Sequence, residues 1–322
     1  QNQIRVANGA LDNDGGEIRV DSSVVLDLFG DMDNDAGSIS AIDALSIKTE
    51  GTINNLNSGS AVFDGIVAGG DMVLAAGAIN NDQGKIESFG NMTIDSSGII
   101  NNKASRLYAM GDLHVGVEGD LINSDGGIIQ SGDDIMMKIS GVLLNSNTDG
   151  TYGVQSGDSL WIQAATINNN DGTIKSGGAF NMYAGVLDNE SGLLSGGAGQ
   201  SQLSVTGNAS PSANGGIISV ADALKVNMNQ FVNAGGVLET GGKLDLGNTQ
   251  YDNTDGNTHA GGGLETTSFD NQSGVLTGSG EIVIDMGRND FNNQSGVIKV
   301  QGQGNLTIRA GGYKDNSSSW LE

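Results

Sequence analysis

Residues 158–178 read Asp-Ser-Leu-Trp-Ile-Gln-Ala-Ala-Thr-Ile-Asn-Asn-Asn-Asp-Gly-Thr-Ile-Lys-Ser-Gly-Gly. Within this stretch, Leu160 and Ile162 alternate with Trp161 and Gln163. Because successive side chains of a strand point to opposite faces, this alternation predicts a strand with one buried face.

The second half of the stretch predicts two corners and another strand. The phrase Ile167-Asn168-Asn169 predicts a corner, since Asn accepts the left-handed backbone conformation more readily than most residues. Ile174 lies between two polar residues, which predicts a short strand, and Gly177-Gly178 predicts the next corner. Each such unit is therefore expected to hold two or three short strands separated by Asn and Gly corners.

The same phrase returns about every 21 residues along the 322-residue chain, in about 14 copies. Clear copies begin at Leu11, Ile53, Ile79, Ile167, Leu187, Phe269 and Phe291. A fixed period of this size indicates a stack of equivalent turns, not a globular domain with one central core. The sequence therefore predicts an all-β fold, a parallel β-helix (solenoid) of about 14 turns of about 21 residues.

The Asn residues of the corners are predicted to be structural. A buried amide needs hydrogen-bond partners, and in a stack the amide of one turn can bond the amide or backbone of the next, which forms a ladder. We assign this corner ladder to Asn13, Asn34, Asn55, Asn81, Asn102, Asn169, Asn189, Asn233, Asn253, Asn271 and Asn293.

Departures from the period predict surface excursions. We interpret residues 1–313 as one shaft of repeats without an internal boundary, with irregular excursions near 61–70, 148–154 and 196–216. Residues 314–322 lack the pattern and are predicted to be an unpatterned tail.

Composition narrows the classes of partner. The net charge of −24 and the isoelectric point near 4.1 predict repulsion from nucleic acids and anionic lipids, and a monomer. No run of 18 apolar residues is present, so no membrane insertion is expected. The chain has no cysteine, which leaves neither disulfides nor thiolate metal sites.

Catalytic and metal-binding patterns are weak. The two histidines, His114 and His259, are far apart in the predicted stack, so we expect no metal site, no cofactor and no Ser/His/Asp catalysis. The chain is therefore predicted not to be an enzyme. A carbohydrate-binding or polysaccharide-degrading β-helix stays open as the alternative, and its signature would be a groove with three or more convergent Asp, Glu or Arg side chains.

Outward aromatic side chains are the best candidates for ligand contact. Trp161 is at an outward strand position, where an indole could stack on a sugar ring or a partner protein. Tyr183 and Tyr108 are weaker candidates of the same kind.

The repeats resemble the haemagglutinin repeats of filamentous haemagglutinin and of the wider two-partner-secretion exoproteins, which include contact-dependent growth inhibition effectors. The resemblance is carried by Ile167-Asn168-Asn169-x-x-Gly172-x-Ile174, Leu187-Asp188-Asn189-x-x-Gly192-x-Leu194 and Phe291-Asn292-Asn293-x-x-Gly296-x-Ile298, and it covers nearly the whole chain. It implies a right-handed parallel β-helix, export by an outer-membrane partner transporter, and a location on the surface of a Gram-negative bacterium.

The resemblance also indicates which part of such an exoprotein this is. An Asn-Pro-Asn-Leu-type secretion motif and a toxin-like globular segment are both missing, so we expect a piece of the central shaft. The predicted function is a structural and adhesive shaft that extends a distal binding or toxin region from the cell. A host or bacterial surface receptor or glycan is a possible partner, and an excursion such as 61–70 or 196–216 is an alternative recognition segment.

Overall fold

The computed structural model describes residues 2–6, 9–59, 61, 63–148, 150–207, 209–210, 214–314 and 320–321, with side chains described between residues 9 and 314. All of the regular structure in these residues is β-strand. We expected no internal boundary, but the contacts divide the chain into two compact units, Gln1–Ala165 and Thr166–Glu322.

The first unit contains short strands in a repeating order of three. They are β1 (Asn2–Val6), β2 (Leu11–Asp12), β3 (Glu17–Val20), β4 (Val24–Leu28), β5 (Met32–Asp33), β6 (Ser38–Ala41), β7 (Leu45–Lys48), β8 (Thr52–Asn54), β9 (Gly65–Ala68), β10 (Met72–Ala76), β11 (Ala78–Asn80), β12 (Lys85–Ser88), β13 (Met92–Ser96), β14 (Ile100–Asn101), β15 (Arg106–Ala109), β16 (Leu113–Val117), β17 (Leu121–Ile122), β18 (Ile128–Ser131), β19 (Ile135–Ile139), β20 (Val142–Leu144) and β21 (Gly153–Ser156).

Strand β22 (Leu160–Asn168) contains the division point, and the second unit continues the same order. Its strands are β23 (Thr173–Ser176), β24 (Phe180–Asp188), β25 (Leu193–Gly196), β26 (Ser201–Val205), β27 (Ala209–Ser210), β28 (Ile217–Val220), β29 (Leu224–Asn227), β30 (Gln230–Val232), β31 (Val237–Thr240), β32 (Leu244–Asp245), β33 (Gln250–Asp252), β34 (Asn257–Ala260), β35 (Leu264–Thr266), β36 (Phe269–Asp270), β37 (Val275–Gly278), β38 (Ile282–Asp285), β39 (Asp290–Asn292), β40 (Val297–Val300), β41 (Leu306–Arg309), β42 (Gly312–Lys314) and β43 (Trp320–Leu321).

Most turns contribute one strand to each of three faces, whereas β22 and β24 each run through the first and second faces as one strand. The first face holds the longer strands, such as β4, β7 and β10, and the second face holds the short strands before the Asn corner, such as β5 and β8. The third face holds the strands after that corner, such as β6 and β9. Every described pairing of neighbouring turns is parallel, as between β10 and β13. The predicted parallel β-solenoid is therefore confirmed.

The core of each unit is a set of stacked apolar columns. In the first unit, the inward column of the first face begins at Leu26 and continues through Ile47, Leu74, Ile94, Val115, Met137 and Ile162. None of these side chains is more than 2% exposed. Burying an aliphatic side chain of this size contributes about 1.5–3 kcal/mol, so the columns stabilise the stack turn by turn.

The second unit replaces one aliphatic column with aromatic rings. Phe231, Tyr251, Phe269, Phe291 and Tyr313 follow one another on the second face, with ring centroids 5.2 to 5.8 Å apart. Aromatic pairs at such distances contribute about 0.5–1.5 kcal/mol beyond the area they bury. The aromatic column therefore supports a part of the chain whose first-face strands are shorter.

The corner after each Asn requires a left-handed residue. The second residue after a ladder Asn has φ between 48° and 68° in the described turns of both units, for example at Ala104 and Gly235. The next residue is Gly in most turns because the preceding turn lies very close to it. A Cβ on Gly192 would lie 2.1 Å from the Asn169 carbonyl oxygen. The Gly of the repeated phrase therefore serves close stacking.

The predicted excursions are shorter than expected. Gly65–Ala68, inside the predicted 61–70 excursion, is strand β9 in register with β6 and β12. The segment before it turns back onto the third face, where the Arg19 guanidinium lies 4.6 Å from the Phe63 ring centroid. Lys85 Nζ also donates to the Ala61 carbonyl at 2.6 Å. The sequence did not predict a strand at Ile66 and Val67, because the interval between the ladder residues Asn55 and Asn81 is longer than usual, at 26 residues.

The other irregular segments also contain regular strands. Gly153 and Val154, in the predicted 148–154 excursion, belong to β21. Within the predicted 196–216 excursion, Gly196 ends β25, and β26 and β27 lie wholly inside it. Residues 208 and 211–213 lie outside the described residues. In the predicted tail, Trp320–Leu321 pairs with Val297 and Ile298, whereas 315–319 and 322 lie outside the described residues.

Candidate functional site

The corner Asn side chains form a continuous hydrogen-bonded ladder in the first unit. The Nδ2 of each residue donates to the Oδ1 of the Asn one turn later, at 2.7 to 2.9 Å. The members are Asn13, Asn34, Asn55, Asn81, Asn102, Asn123 and Asn145. All bonds run in one direction, so the amides polarise one another along the chain of bonds.

The second unit has the same kind of bond in two separate runs, Asn169 to Asn189 and Asn233 to Asn293. Asn169 donates to Asn189 at 2.6 Å, and Asn233, Asn253, Asn271 and Asn293 follow one another at 2.7 Å. Asn293 Nδ2 then donates to the Tyr313 hydroxyl at 3.3 Å. The structure thus places every Asn of the predicted ladder in a column of amides, with exposure of 8% at Asn13 and 0% at the others.

Most ladder amides also donate to a backbone carbonyl of the corner. Asn55 Nδ2, for example, donates to the Lys85 carbonyl at 2.9 Å as well as to Asn81. A buried carbonyl left without a donor costs about 1–3 kcal/mol. The ladder therefore satisfies corner groups that no strand pairing reaches.

Two ladder members were missed from the sequence. Asn123 and Asn145 follow Ile122 and Leu144, so the repeated phrase lacks its usual polar residue before the ladder Asn. Their spacing of 21 and 22 residues from the preceding ladder Asn was the available signal.

That preceding polar residue has its own role. Its side-chain oxygen accepts a bond from the backbone N–H two residues later, as from Asp14 to Asp12 at 3.1 Å and from Asn170 to Asn168 at 3.1 Å. This is the local Asx turn that Asn and Asp favour. Because it is local and half-exposed, an apolar residue can replace it.

The structure separates the predicted aromatic contact residues. Trp161 is half-buried on the first face, where its neighbour one turn earlier is the exposed Met136. Tyr108 is half-buried on the third face, with the Arg106 guanidinium 4.4 Å from its ring centroid. Tyr183 lies in the second unit, half-buried on β24 opposite Ser204. Their role in ligand contact stays a prediction.

An open groove of about 690 Å³ runs along the first face of the first unit. Its outward column begins at Lys48, passes Ala75, Asp95 and Gly116, and ends at Lys138. The small side chains in this column leave room between the two lysines. Glu50 and Glu118 also line the groove. Asp95 and these two glutamates thus bring three exposed carboxylates into one groove.

Metal-binding geometry is absent from the described part of the chain, since no group of three His, Cys, Asp or Glu side chains there could hold an ion. Among the same residues, no helix of the length and apolar character needed to cross a membrane is found.

The fold and its corner ladder define a class, the parallel β-solenoid with an internal Asn column. The family model for the haemagglutinin repeat matches residues 145–209, 197–268 and 263–312, which together make up more than half of the chain. The chain therefore belongs to the haemagglutinin repeat family. No curated protein and no solved structure matches it.

Proposed function

We propose that this chain is a structural and adhesive shaft segment of a large secreted exoprotein on the surface of a Gram-negative bacterium. In this proposal an outer-membrane two-partner-secretion transporter exports the protein. The segment then extends a distal binding region, or a toxin of the contact-dependent growth inhibition kind, away from the cell. We further propose that the segment is monomeric, inserts into no membrane, binds no nucleic acid and is not an enzyme.

The observation that carries the proposal is the ladder of amides, which is continuous from Asn13 to Asn145 in the first unit and from Asn233 to Asn293 in the second, in a chain of the haemagglutinin repeat family. Each turn bonds only to its neighbours, so a turn can fold as soon as the previous one is in place. The absence of cysteine removes any need for disulfide formation during export. Both properties suit a chain that emerges unfolded from a pore and folds progressively outside.

The export half of the proposal is tested with a fusion. The secretion domain of a two-partner-secretion exoprotein is joined to this chain and a C-terminal epitope, and the fusion is produced in a Gram-negative host with or without the cognate transporter. We expect antibody labelling of intact cells only when the transporter is present. Retention inside the cell, while the secretion domain with the epitope alone is exported, would contradict the proposal.

A polysaccharide-degrading activity is the second candidate, and the three carboxylates of the first-unit groove are the observation that favours it. It is tested by measuring release of reducing ends from neutral and acidic polysaccharides. Asp27→Asn, on the same face, is the control. If the chain degrades a polysaccharide, and Asp95→Asn and Glu118→Gln lose this activity while Asp27→Asn keeps it, the proposal that the chain is not an enzyme is wrong. We expect no turnover.

A further inference from the structure

An uncharged cleft lies on the second unit, where the first face meets the second. It has a volume of about 660 Å³. We call it the amide cleft, because its polar lining is made of Asn227, Asn229, Gln230, Asn248 and Gln250 together with the hydroxyls of Ser204 and Thr206. None of the described residues that line this cavity carries a charge.

Neighbouring turns bring these side chains together. Gln230 and Gln250 are register partners on β30 and β33, and Asn227 pairs with Ser204, to whose Oγ its Nδ2 donates at 3.3 Å. Asn248 is presented by a tight turn in which Thr249 N–H donates to the Leu246 carbonyl at 2.9 Å. The spacing of the glutamines along the stack is the strand spacing of about 4.8 Å.

Four of these amides differ from the ladder amides in having no side-chain hydrogen bond inside the described part of the protein. They are Asn229, Gln230, Asn248 and Gln250, and all four are exposed. A primary amide offers two donors and one acceptor oxygen. The cleft therefore presents a row of donors and acceptors that are available to a ligand.

The absence of charge is informative in this protein. The chain carries 38 acidic and 14 basic residues, and the groove of the first unit includes Lys48, Glu50, Asp95, Glu118 and Lys138. A charged ligand would find no counter-charge in the amide cleft, and an apolar ligand would leave the amides unpaired.

We propose that the amide cleft binds a neutral oligosaccharide. Sugar hydroxyls both donate and accept hydrogen bonds, so each can pair with either end of an Asn or Gln side chain. An extended saccharide chain lying along the stack would meet the amides of Gln230 and Gln250 on successive turns and then the Ser268 hydroxyl. Binding of a charged glycan or a peptide in place of a neutral oligosaccharide would contradict the proposal.

The cleft has room for more than one sugar. A second cavity of about 380 Å³ also includes Gln230 and Gln250. Unlike the amide cleft it is acidic, because Asp252, Asp270 and Asp290 line it, and these carboxylates would repel an anionic ligand. The shared glutamines join the two cavities into one path along the second face. The Asp270 carboxylate there can accept bonds from sugar hydroxyls.

The proposal stands apart from the export proposal. It concerns the purified chain in solution, so failure of secretion leaves it intact, and loss of saccharide binding leaves the shaft role intact.

The test uses the full 322-residue chain and measures binding of cellohexaose, chitohexaose, a maltooligosaccharide, heparin and polygalacturonate by saturation-transfer NMR and calorimetry. We expect at least one neutral oligosaccharide to bind at millimolar or lower concentration and both charged polysaccharides to bind less tightly. Gln230→Ala/Gln250→Ala removes two neutral hydrogen-bonding groups from the cleft, so we expect about tenfold weaker binding.

The matched control is Gln163→Ala/Asn181→Ala, which removes two amides from outward positions elsewhere on the first face. We expect this variant to bind as the parent does, with both variants unchanged in circular dichroism and melting. Absence of binding by every neutral probe, equal weakening in the control, or tighter binding of heparin or polygalacturonate would overturn the proposal.

Discussion

At the scale of single residues, two neighbouring Asn residues of the same corner, Asn168 and Asn169, differ in burial and in hydrogen bonding. Asn169 is fully buried and donates to Asn189 and to the carbonyls of Gly172 and Leu193, at 2.6, 3.3 and 3.2 Å. Asn168 is half-buried and accepts one local bond from Asn170.

Replacing Asn169 by Leu should therefore lower the free energy of unfolding by about 1–3 kcal/mol, because buried corner carbonyls and the Asn189 amide lose partners. Urea unfolding followed by circular dichroism measures this. Asn168→Ile is the matched control, with a cost below about 1 kcal/mol, since Ile122 occupies the equivalent position of another turn. Equal costs for the two variants would contradict the structural role of the ladder.

A second residue-scale prediction concerns the two Gly positions of the corner. Gly192→Ala places a Cβ 2.1 Å from the Asn169 carbonyl oxygen and 2.5 Å from Asn189 Oδ1, so neighbouring turns must move apart. We expect a loss of about 1–3 kcal/mol, as for overpacking of a well-packed interior.

Gly235→Ala tests the other kind of Gly. Its φ is 68° and a Cβ there would meet nothing within 4 Å, so only the left-handed backbone is penalised, by about 1–2 kcal/mol. Substitution by Asn, which tolerates this conformation, should recover most of the loss at position 235 and none at position 192. Thermal melts of the four variants show whether the loss of stability at each position comes from steric overlap or from the left-handed backbone conformation.

At the scale of elements, one hydroxyl pair links the aromatic column to the third face. Tyr251 interrupts a run of Phe rings, and its hydroxyl bonds Thr258 Oγ1. Thr258 in turn interrupts an inward column that contains Leu238 and Leu276 on the adjacent turns. The two polar substitutions therefore depend on one another.

A double-mutant cycle should reveal this dependence. Thr258→Val alone leaves the buried Tyr251 hydroxyl short of a partner and should cost about 1–3 kcal/mol. Tyr251→Phe/Thr258→Val should cost less than the sum of the single variants by about 0.5 kcal/mol or more, since residues in contact are coupled. Strict additivity in urea unfolding would show that the pair is independent.

The same hydroxyl predicts a dependence on alkaline pH. Burial raises the pKa of Tyr251 well above its ordinary value of 10.0. Above about pH 10 the unfolded chain loses this proton while the folded chain keeps it, so the free energy of unfolding falls as pH rises.

The expected loss from this group is about 1.4 kcal/mol at pH 11 relative to pH 8, because pH 11 is one unit beyond the unfolded pKa. Tyr251→Phe should lack this part of the loss, and the remaining tyrosines are common to both proteins. If urea unfolding at the two pH values gives the same difference for parent and variant, Tyr251 does not stay protonated in the folded state.

At the scale of the whole molecule, the charge of −24 opposes folding through self-repulsion. Asp71, Asp112 and Asp134 lie in one column of the first unit, and their Oδ1 atoms accept bonds from the backbone N–H of Asn91, Asp134 and Ser159. Asn91 fills the same column and accepts the same kind of bond from Asp112. An amide therefore fits this column without the charge.

Asp71→Asn/Asp112→Asn/Asp134→Asn should keep these bonds and raise the melting temperature at low ionic strength. Each neighbouring charge pair about 5–10 Å apart costs a few tenths of a kcal/mol in water. The gain should shrink from 10 to 500 mM NaCl as the repulsion is screened. A variant that melts lower than the parent at low salt would show that these carboxylates stabilise the fold.

The sequence was sufficient for the fold class because its signal is repeated in nearly every turn. One copy of Ile-Asn-Asn is ambiguous, but a fixed spacing requires that equivalent residues stack, and the predicted ladder Asn side chains bond one another in columns in both units. It was insufficient where one turn departs from the phrase, as at Asn123. It also failed where a strand follows an irregular segment, as at Gly65–Ala68.

The period and the alternation of apolar residues by themselves determined the parallel stack, the inward columns and the amide ladder, because these depend on spacing along the chain. Only the tertiary structure decided which side chains meet across turns of unequal length. The pairing of Tyr251 with Thr258, the close approach that excludes a side chain at Gly192 and the gathering of unpaired amides around Gln230 and Gln250 all depend on register. Register is set by how the backbones of neighbouring turns bond, and residues 18 to 26 positions apart then become contacts.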